Sequence, residues 1–185
     1  MNQLNQVRAV FDEETITVYQ AYRAEIALPA VKHQTFVSPF KMDRMTWIKP
    51  SFCWMMYRCG WAEKEGQERV LAIKIKREGW DWALQHAELS HFDGSVHSSY
   101  EAWKEGVANT PVRIQWDPER DLRLEKQEYR AIQVGLSGEA VHRYVNEWIT
   151  EITDITEQCK QIKQLVDAGS LEEAKSLAPK EEVYS

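Results

Sequence analysis

Short segments rich in β-branched and aromatic residues alternate with amphipathic segments along the first half of this chain. Residues 15–22, TITVYQAY, have the composition of a strand, and residues 25–33 follow with helical character. The same order recurs twice, with strands predicted at 44–48 and 69–75 and helices predicted at 50–60 and 77–87. A strand and a helix that adjoin in sequence bury their apolar faces against a common core. The alternation therefore predicts an α+β fold.

The second half is less regular. Two further strands are predicted at 112–116 and 129–135, with Pro118 in the turn between them. Residues 89–110 are expected to form a long loop with a short helix near Tyr100. From Gly138 the apolar residues recur with helical spacing as far as Val166, with a break near Asp154, and a short last helix follows Ser170.

Length and composition fit one ordinary globular domain. The chain has 185 residues, of which 43% are apolar and 28% are charged, close to the globular average. We expect a single α+β domain with a mixed or antiparallel split β-sheet of about five strands, flanking helices and a helical C-terminus. Its core is expected over about 8–155, C-terminal helices over 156–178 and a frayed tail over 179–185.

The sequence carries no sign of a membrane segment or of secretion. No apolar run approaches the roughly 20 residues that span a bilayer, and the N-terminus lacks the pattern of a signal peptide. The three cysteines are odd in number, which favours reduced thiols in a cytoplasmic protein. The net charge of −6 argues against nonspecific binding of duplex DNA.

One segment, residues 40–61, interleaves basic and aromatic side chains. Its cations are Lys41, Arg44, Lys49 and Arg58, and its largest aromatic residues are Trp47, Trp54, Tyr57 and Trp61. Cations neutralise phosphate and aromatic faces stack on bases, so the segment favours a nucleotide. The alternative is that the aromatic residues belong to the core and the cations are solvated. Ser51 stands at the predicted helix start, where it either helps to bind an anion or only caps the helix.

Three other groups of residues are candidate sites. Asp117, in QWDPERD, is a candidate base, although the same letters fit a solvated turn. Gly135 to Gly138 join a strand to a helix, either as a phosphate cradle or as simple helix initiation. His86, His91 and His97 lie near Asp93, but their spacing matches no zinc pattern, so we expect no metal site.

Longer strings carry a resemblance to a known family. They include DEETITVYQAY, PFKMDRMTWIKPSF, GQERVLAIKI, RIQWDPERDL and YRAIQVGLSGEAV. Together they resemble a bacterial and fungal family catalogued as domain of unknown function 4291, over about residues 8–155. The resemblance implies a single-domain protein and names no activity.

A more distant resemblance is to ADP-ribosyltransferases. Tyr19-Gln20-Ala21 is similar to the segment of their first strand that carries Tyr-His-Ala, and Trp47 to Ser51 is similar to their aromatic strand and following helix. Gln20 stands where those enzymes have His or Arg, and Gln133 stands near their catalytic Glu. The resemblance implies that NAD binds as substrate in a split β fold.

The first hypothesis is therefore an NAD-type, ADP-ribosyltransferase-like enzyme. Its predicted catalytic residues are Gln20, Asp117, Glu119 and Gln133, and its predicted ligand-binding residues are Tyr19, Arg44, Trp47, Lys49, Ser51 and Gln115. The second is a noncatalytic module that binds single-stranded RNA or a nucleotide. The third is a protein-interaction domain that uses an exposed apolar stripe on the acidic C-terminal helices. The oligomeric state is left open.

Overall fold

The computed structural model describes residues 4–185. Within that range the strands are β1 (Arg8–Ala9), β2 (Thr15–Tyr22), β3 (Thr46–Ile48), β4 (Arg69–Lys76), β5 (Ala87–Leu89), β6 (Val112–Arg120), β7 (Lys126–Leu136), β8 (Ile149–Asp154) and β9 (Glu182–Val183). The helices are α1 (Ala24–His33), α2 (Phe52–Cys59), α3 (Arg77–Gln85), α4 (Tyr100–Asn109), α5 (Glu139–Arg143), α6 (Thr156–Asp167) and α7 (Leu171–Leu177), and a π-helical turn spans Tyr144–Trp148.

The strands form two main sheets that separate between β2 and β3. One sheet has the order β2-β4-β8 and is antiparallel. The other has the order β3-β7-β6-β5, and its only parallel pair among the described strands is β5 with β6. An isolated backbone bridge between Tyr19 and Lys49 joins the two sheets. The prediction of one α+β domain with a mixed, split sheet is confirmed, although the strands are more numerous than the five expected.

The described residues form two apolar cores. The larger core joins both sheets to α1, α3, α5 and the π-helical turn. The smaller core packs α2 against α6 and α7. The apolar stripe of the C-terminal helices belongs to the smaller core, where Cys159, Ile162 and Ala174 are fully buried. The stripe on which a protein-interaction surface was predicted is therefore covered by the chain itself.

The helices and strands of the first half were predicted well because local signals agree with the packing. Ser51 caps α2 by accepting a hydrogen bond from the backbone N–H of Trp54, and Gly60 ends that helix in the left-handed conformation. All three cysteines are free, and Cys59 and Cys159 are buried. No helix of the described residues 4–185 has both the length and the apolar character needed to cross a bilayer.

The prediction of a helix through residues 149–154 is wrong. The π-helical turn ends at Trp148, and Ile149–Asp154 pairs with β4 as an edge strand. The segment ITEITD is rich in β-branched residues, which favour a strand once the edge of β4 is available. The spacing of three residues between Ile149 and Ile152 fits a helix. In the strand, a register shift places Ile152 opposite Ile73 and Ile149 opposite Ile75, so that both isoleucines still pack on the core.

Three other segments differ from the prediction. Residues 87–89 form β5, where the end of the predicted helix and the start of the predicted loop were expected. Strand β6 continues past Pro118 to Arg120, so that the turn lies at residues 121–125. The tail expected to fray instead packs on the domain: β9 pairs with β1, and Tyr184 donates a hydrogen bond to Asp81 at 2.8 Å.

Candidate functional site

A cavity of about 610 Å³ opens where β2 and β3 diverge. It is lined by β2, β3, α2, β6, β7 and the loop before β4. Six of the ten predicted site residues line it: Gln20, Arg44, Trp47, Lys49, Gln115 and Gln133. Arg58, Gln67 and Thr46 line it as well. Its size lies within the range of ordinary small-molecule sites, roughly 300–1,000 Å³.

The strand register explains why polar side chains gather here. Gln115 lies opposite Gln133, and Trp47 lies opposite Gly135. Because side chains alternate across a sheet, residues of odd number on β3, β6 and β7 share the cavity face. Ile48 and Val134, which have even numbers, are fully buried on the other face.

Gly135 gives the indole of Trp47 its place on the sheet. A Cβ atom built at Gly135 lies 2.9 Å from Cη2 of Trp47 and 2.9 Å from Sδ of Met45, which is closer than packed side chains approach. The ring of Trp47 therefore lies directly over the β7 backbone. Gly135, a candidate for a phosphate cradle in the sequence, instead leaves room for the indole of Trp47 at the edge of the cavity.

Three cations line the cavity, namely Arg44, Lys49 and Arg58. Lys49 is 7% exposed, and its Nζ lies 3.4 Å from the carbonyl oxygen of Trp47 and 5.6 Å from the ring centroid of Trp54. Burial, and then the positive charge of Arg58, lowers the pKa of Lys49 to about 8. Among the residues 4–185, none supplies a carboxylate within 4.0 Å of these three cations. The cavity is therefore suited to an anion.

Gln20 is the centre of a buried hydrogen-bond network that spans the split. The hydroxyl of Tyr144 donates to Oε1 of Gln20 at 2.6 Å. The Nε2 of Gln20 lies 2.7 Å from Oγ1 of Thr46, 3.1 Å from the carbonyl oxygen of Trp47 and 2.9 Å from the hydroxyl of Tyr22. The amide thus ties β2 to β3 and to the π-helical turn. It fixes the strand that carries Trp47 and Lys49.

Asp117 lies beside the cavity rather than in its lining. Its Oδ1 accepts a hydrogen bond from Nε2 of Gln115 at 3.0 Å, and its Oδ2 accepts one from Nε2 of Gln133 at 2.8 Å. Its negative charge is close enough to favour the charged form of Lys49. The carboxylate therefore orients the two glutamine amides through their N–H groups and does not engage their carbonyl oxygens.

Ser51 and Glu119 are brought together elsewhere, in a second cavity of about 670 Å³. The register of β6 and β7 shifts between Pro118 and Arg120, and this bulge redirects the strand at Glu119. The carboxylate of Glu119 accepts a hydrogen bond from Oγ of Ser51 at 2.8 Å. Glu181, from the C-terminal tail, accepts one from the backbone N–H of Phe52 at 2.8 Å. Tyr19, the remaining predicted residue, is 2% exposed and packs edge-on against Phe52.

Glu181 makes stability depend on pH. Burial, and then the carboxylate of Glu119, raises the pKa of Glu181 from 4.5 to about 8. A raised carboxyl pKa means that the folded state binds more protons than the unfolded state, so stability falls as the pH rises from about 4.5 to about 8. We expect Glu181→Gln, which keeps the acceptor for Phe52, to be more stable than wild type at pH 8.5 by at least about 1 kcal/mol.

Urea denaturation at pH 5, 6.5 and 8.5 measures this difference. The gain from Glu181→Gln should be small at pH 5 and grow toward pH 8.5. Glu182 is exposed on the adjacent strand, so Glu182→Gln is the matched control and should show no such trend. A gain that is equal at all three pH values would contradict the assignment.

The histidines do not form a metal site. Nε2 of His97 lies 2.6 Å from Oε1 of Glu88, and His86 stacks on Trp82. Within residues 4–185 there is no group of three or more His, Cys, Asp or Glu side chains placed to hold a metal ion.

Arg58 and Gln67 belong to the cavity lining but were not among the predicted site residues. The basic and aromatic pattern of residues 40–61 contains Arg58, so the signal for it was present. Gln67 lies in the loop before β4, and nothing in the sequence distinguishes it from a solvated loop residue.

The family model for a domain of unknown function, DUF4291, matches residues 6–184. The chain belongs to the DUF4291 family. The match includes β1, β9 and the C-terminal helices as well as the residues around the cavity. No match was found among curated proteins. The cavity at the split between β2 and β3 is thus a feature of a DUF4291 domain whose chemistry must be inferred from its residues.

Proposed function

We propose that the cavity between β2 and β3 binds a nucleotide of the NAD type and that the chain is an ADP-ribosyltransferase-like enzyme. The observation that carries the proposal is the grouping of Arg44, Lys49 and Arg58 with the indole of Trp47 around one cavity. Arginine and lysine bind phosphate by charge-assisted hydrogen bonds, and an indole face stacks on a base. The divergence of the two sheets at Gln20 is consistent with the split fold of that enzyme class.

In this proposal the predicted residues take different roles. Arg44, Lys49 and Arg58 hold the phosphates, and Trp47 stacks on a ring of the ligand. Gln115 and Gln133 accept hydrogen bonds from ribose hydroxyls through the carbonyl oxygens that Asp117 leaves free. Gln20 positions β3 through its hydrogen bonds to Thr46 and Trp47. Asp117 supplies the negative charge that stabilises a positive charge developing on the ribose. Glu119 and Ser51 are hydrogen-bonded to each other in the second cavity, outside the NAD-binding cavity.

Removal of one phosphate-binding cation tests the binding step. We expect Arg58→Gln to weaken the affinity for NAD by about 10- to 100-fold, because a hydrogen bond to a charged group contributes roughly 1.5–3 kcal/mol. Isothermal titration calorimetry with NAD and with ADP-ribose measures this loss. Lys104 is exposed on α4, and Lys104→Gln is the control. Wild-type protein that binds neither compound would contradict the proposal.

A second candidate function is a noncatalytic module that binds a nucleotide or single-stranded RNA in the same cavity. It is favoured by one observation: both carboxylate oxygens of Asp117 are already engaged by glutamine amides, which suits a structural role. Release of nicotinamide from bound NAD separates the two functions. Turnover supports the transferase, whereas NAD that is bound and recovered intact supports the module.

A further inference from the structure

A further cavity of about 340 Å³ adjoins the cavity between β2 and β3. The two share Tyr22, Arg44, Met45, Thr46 and Gly66, so that Arg44 stands at the boundary between them. The floor of this adjoining cavity is formed by Ile26 and Phe40, and its other basic residues are Arg23 and Lys41. Its volume lies at the lower end of the range for small-molecule sites, which suits one nucleotide-sized group.

The charge of the adjoining cavity is opposite to that of the chain. The chain as a whole has a net charge of −6, yet the described residues that line this cavity include three cations and no carboxylate. Within residues 4–185, Lys41 makes no ion pair. Arg23 lies 3.6 Å from Glu25, but both side chains are more than half exposed, and such pairs are weak. These positive charges are available to an anion.

An aromatic surface lies beside the cations. Phe40 stacks on Phe36 with ring centroids 4.5 Å apart, and its edge meets Tyr22 at 6.1 Å. The ring is therefore held by its neighbours and is partly exposed toward the cavity. A fixed aromatic ring next to basic side chains is the combination that binds the bases and phosphates of single-stranded nucleic acids.

We propose that the adjoining cavity binds the next nucleotide of a single-stranded nucleic acid, whose backbone crosses Arg44 between the two cavities. The inference rests on the proposed function, because it requires that the first cavity binds a nucleotide. Lys41 and Arg23 then contact a phosphate of the strand, and Phe40 with Ile26 contacts its base. An RNA strand and a DNA strand share this chemistry.

The test compares binding of a strand with binding of NAD. Fluorescence anisotropy with 5′-fluorescein hexanucleotides of RNA and of DNA is measured for wild type, for the double variant Arg23→Gln/Lys41→Gln, and for the control Lys32→Gln/Lys104→Gln. Lys32 and Lys104 are exposed and line neither cavity. Calorimetry with NAD is run on the same proteins, and thermal melts check that each is folded.

We expect Arg23→Gln/Lys41→Gln to weaken hexanucleotide binding at least 10-fold and to leave NAD affinity within 2-fold of wild type. The dependence of log affinity on log salt concentration should become less steep, by roughly 0.7 for each phosphate contact that is lost. Tighter binding of RNA or of DNA, or equal binding of both, supports the proposal and identifies the strand that the cavity accepts.

Two outcomes overturn the inference. One is wild-type protein that binds NAD but neither hexanucleotide, which leaves the proposed function intact. The other is a double variant that binds hexanucleotides as tightly as the control does. Binding of hexanucleotides that depends on Arg23 and Lys41, without any binding of NAD, would instead support the adjoining cavity and contradict the choice of NAD for the first one.

Discussion

We expect Lys49→Met to raise the free energy of unfolding at pH 7 by roughly 2–3 kcal/mol and to abolish nucleotide binding. The ammonium group of Lys49 is 7% exposed, and burial followed by repulsion from Arg58 lowers its pKa from 10.5 to about 8. Each unit of lowered pKa costs the folded state about 1.4 kcal/mol while the lysine is charged. Methionine has a similar length and fills the same space without a charge.

The increase in the free energy of unfolding of Lys49→Met over wild type should become smaller at high pH. The folded state binds fewer protons than the unfolded state between about pH 8 and 10.5, so Lys49 makes the wild type more stable as the pH rises through that window. The advantage of Lys49→Met is therefore full below pH 8 and declines toward pH 10. Groups that do not interact with Lys49 cancel when the variant is compared with wild type. The thiol of Cys59, whose pKa is raised mainly by burial, interacts with the charge of Lys49, so its contribution belongs to the difference that is measured.

Urea denaturation at pH 7, 8.5 and 10 measures the difference, and Lys104→Met is the control for loss of an exposed lysine. Calorimetry of NAD binding adds an independent readout, the number of protons that the protein takes up on binding. A phosphate placed beside Lys49 favours its charged form, so wild type should take up protons when it binds NAD at pH 8.5. A constant stability difference across these pH values would show that Lys49 is not the perturbed amine.

A stabilising substitution that destroys binding is the expected signature of a functional group kept at a cost. Lys49 is a buried charge that forms no ion pair with residues 4–185, in a cavity that holds two more cations. Packing alone gives no reason for a buried ammonium without a carboxylate, because a neutral side chain is less costly there. An anionic ligand supplies the missing charge, and this is the physical basis of the proposed function.

The strand pattern and the basic segment made much of this cavity predictable. Arg44, Trp47 and Lys49 lie within one short segment whose cations and aromatic residues stand out in the sequence. Gln115 and Gln133 sit on strands that were located correctly, and antiparallel pairing places them opposite one another. Local sequence signals thus predict which residues are candidates, and the alternation of the strands predicts which face they share.

What the sequence could not predict depends on long-range packing. Glu119 stands two residues from Asp117, yet a bulge in β6 places it beside Ser51 in the second cavity. Ile149–Asp154 keeps a helix-like spacing but pairs with β4. Glu181 reaches the N-terminus of α2 from 129 positions away in sequence. No local pattern contains these three relations, because each is decided by an element distant in the chain.

The hydrogen-bond network around Gln20 ties β2 to β3 across the split and contributes to stability. Tyr144 is fully buried and Gln20 is 3% exposed, so a hydrogen bond lost between them leaves a buried polar group without a partner. Such a group costs about 1–3 kcal/mol. We expect Gln20→Leu and Tyr144→Phe each to lower the free energy of unfolding by about that amount. The double variant should lose about 1–2 kcal/mol less than the sum, because it removes both partners together.

Urea denaturation of the four proteins gives this coupling energy, and Tyr100→Phe combined with Gln20→Leu is the control, since Tyr100 is 51% exposed and far along the chain from the network. That pair should be additive within about 0.5 kcal/mol.

Gln20→Leu also removes the hydrogen bonds to Thr46 and to the carbonyl of Trp47, whereas Tyr144→Phe leaves them in place. We therefore expect Gln20→Leu to weaken NAD binding more than Tyr144→Phe does. Equal losses would mean that Gln20 stabilises the fold without positioning β3 for the ligand.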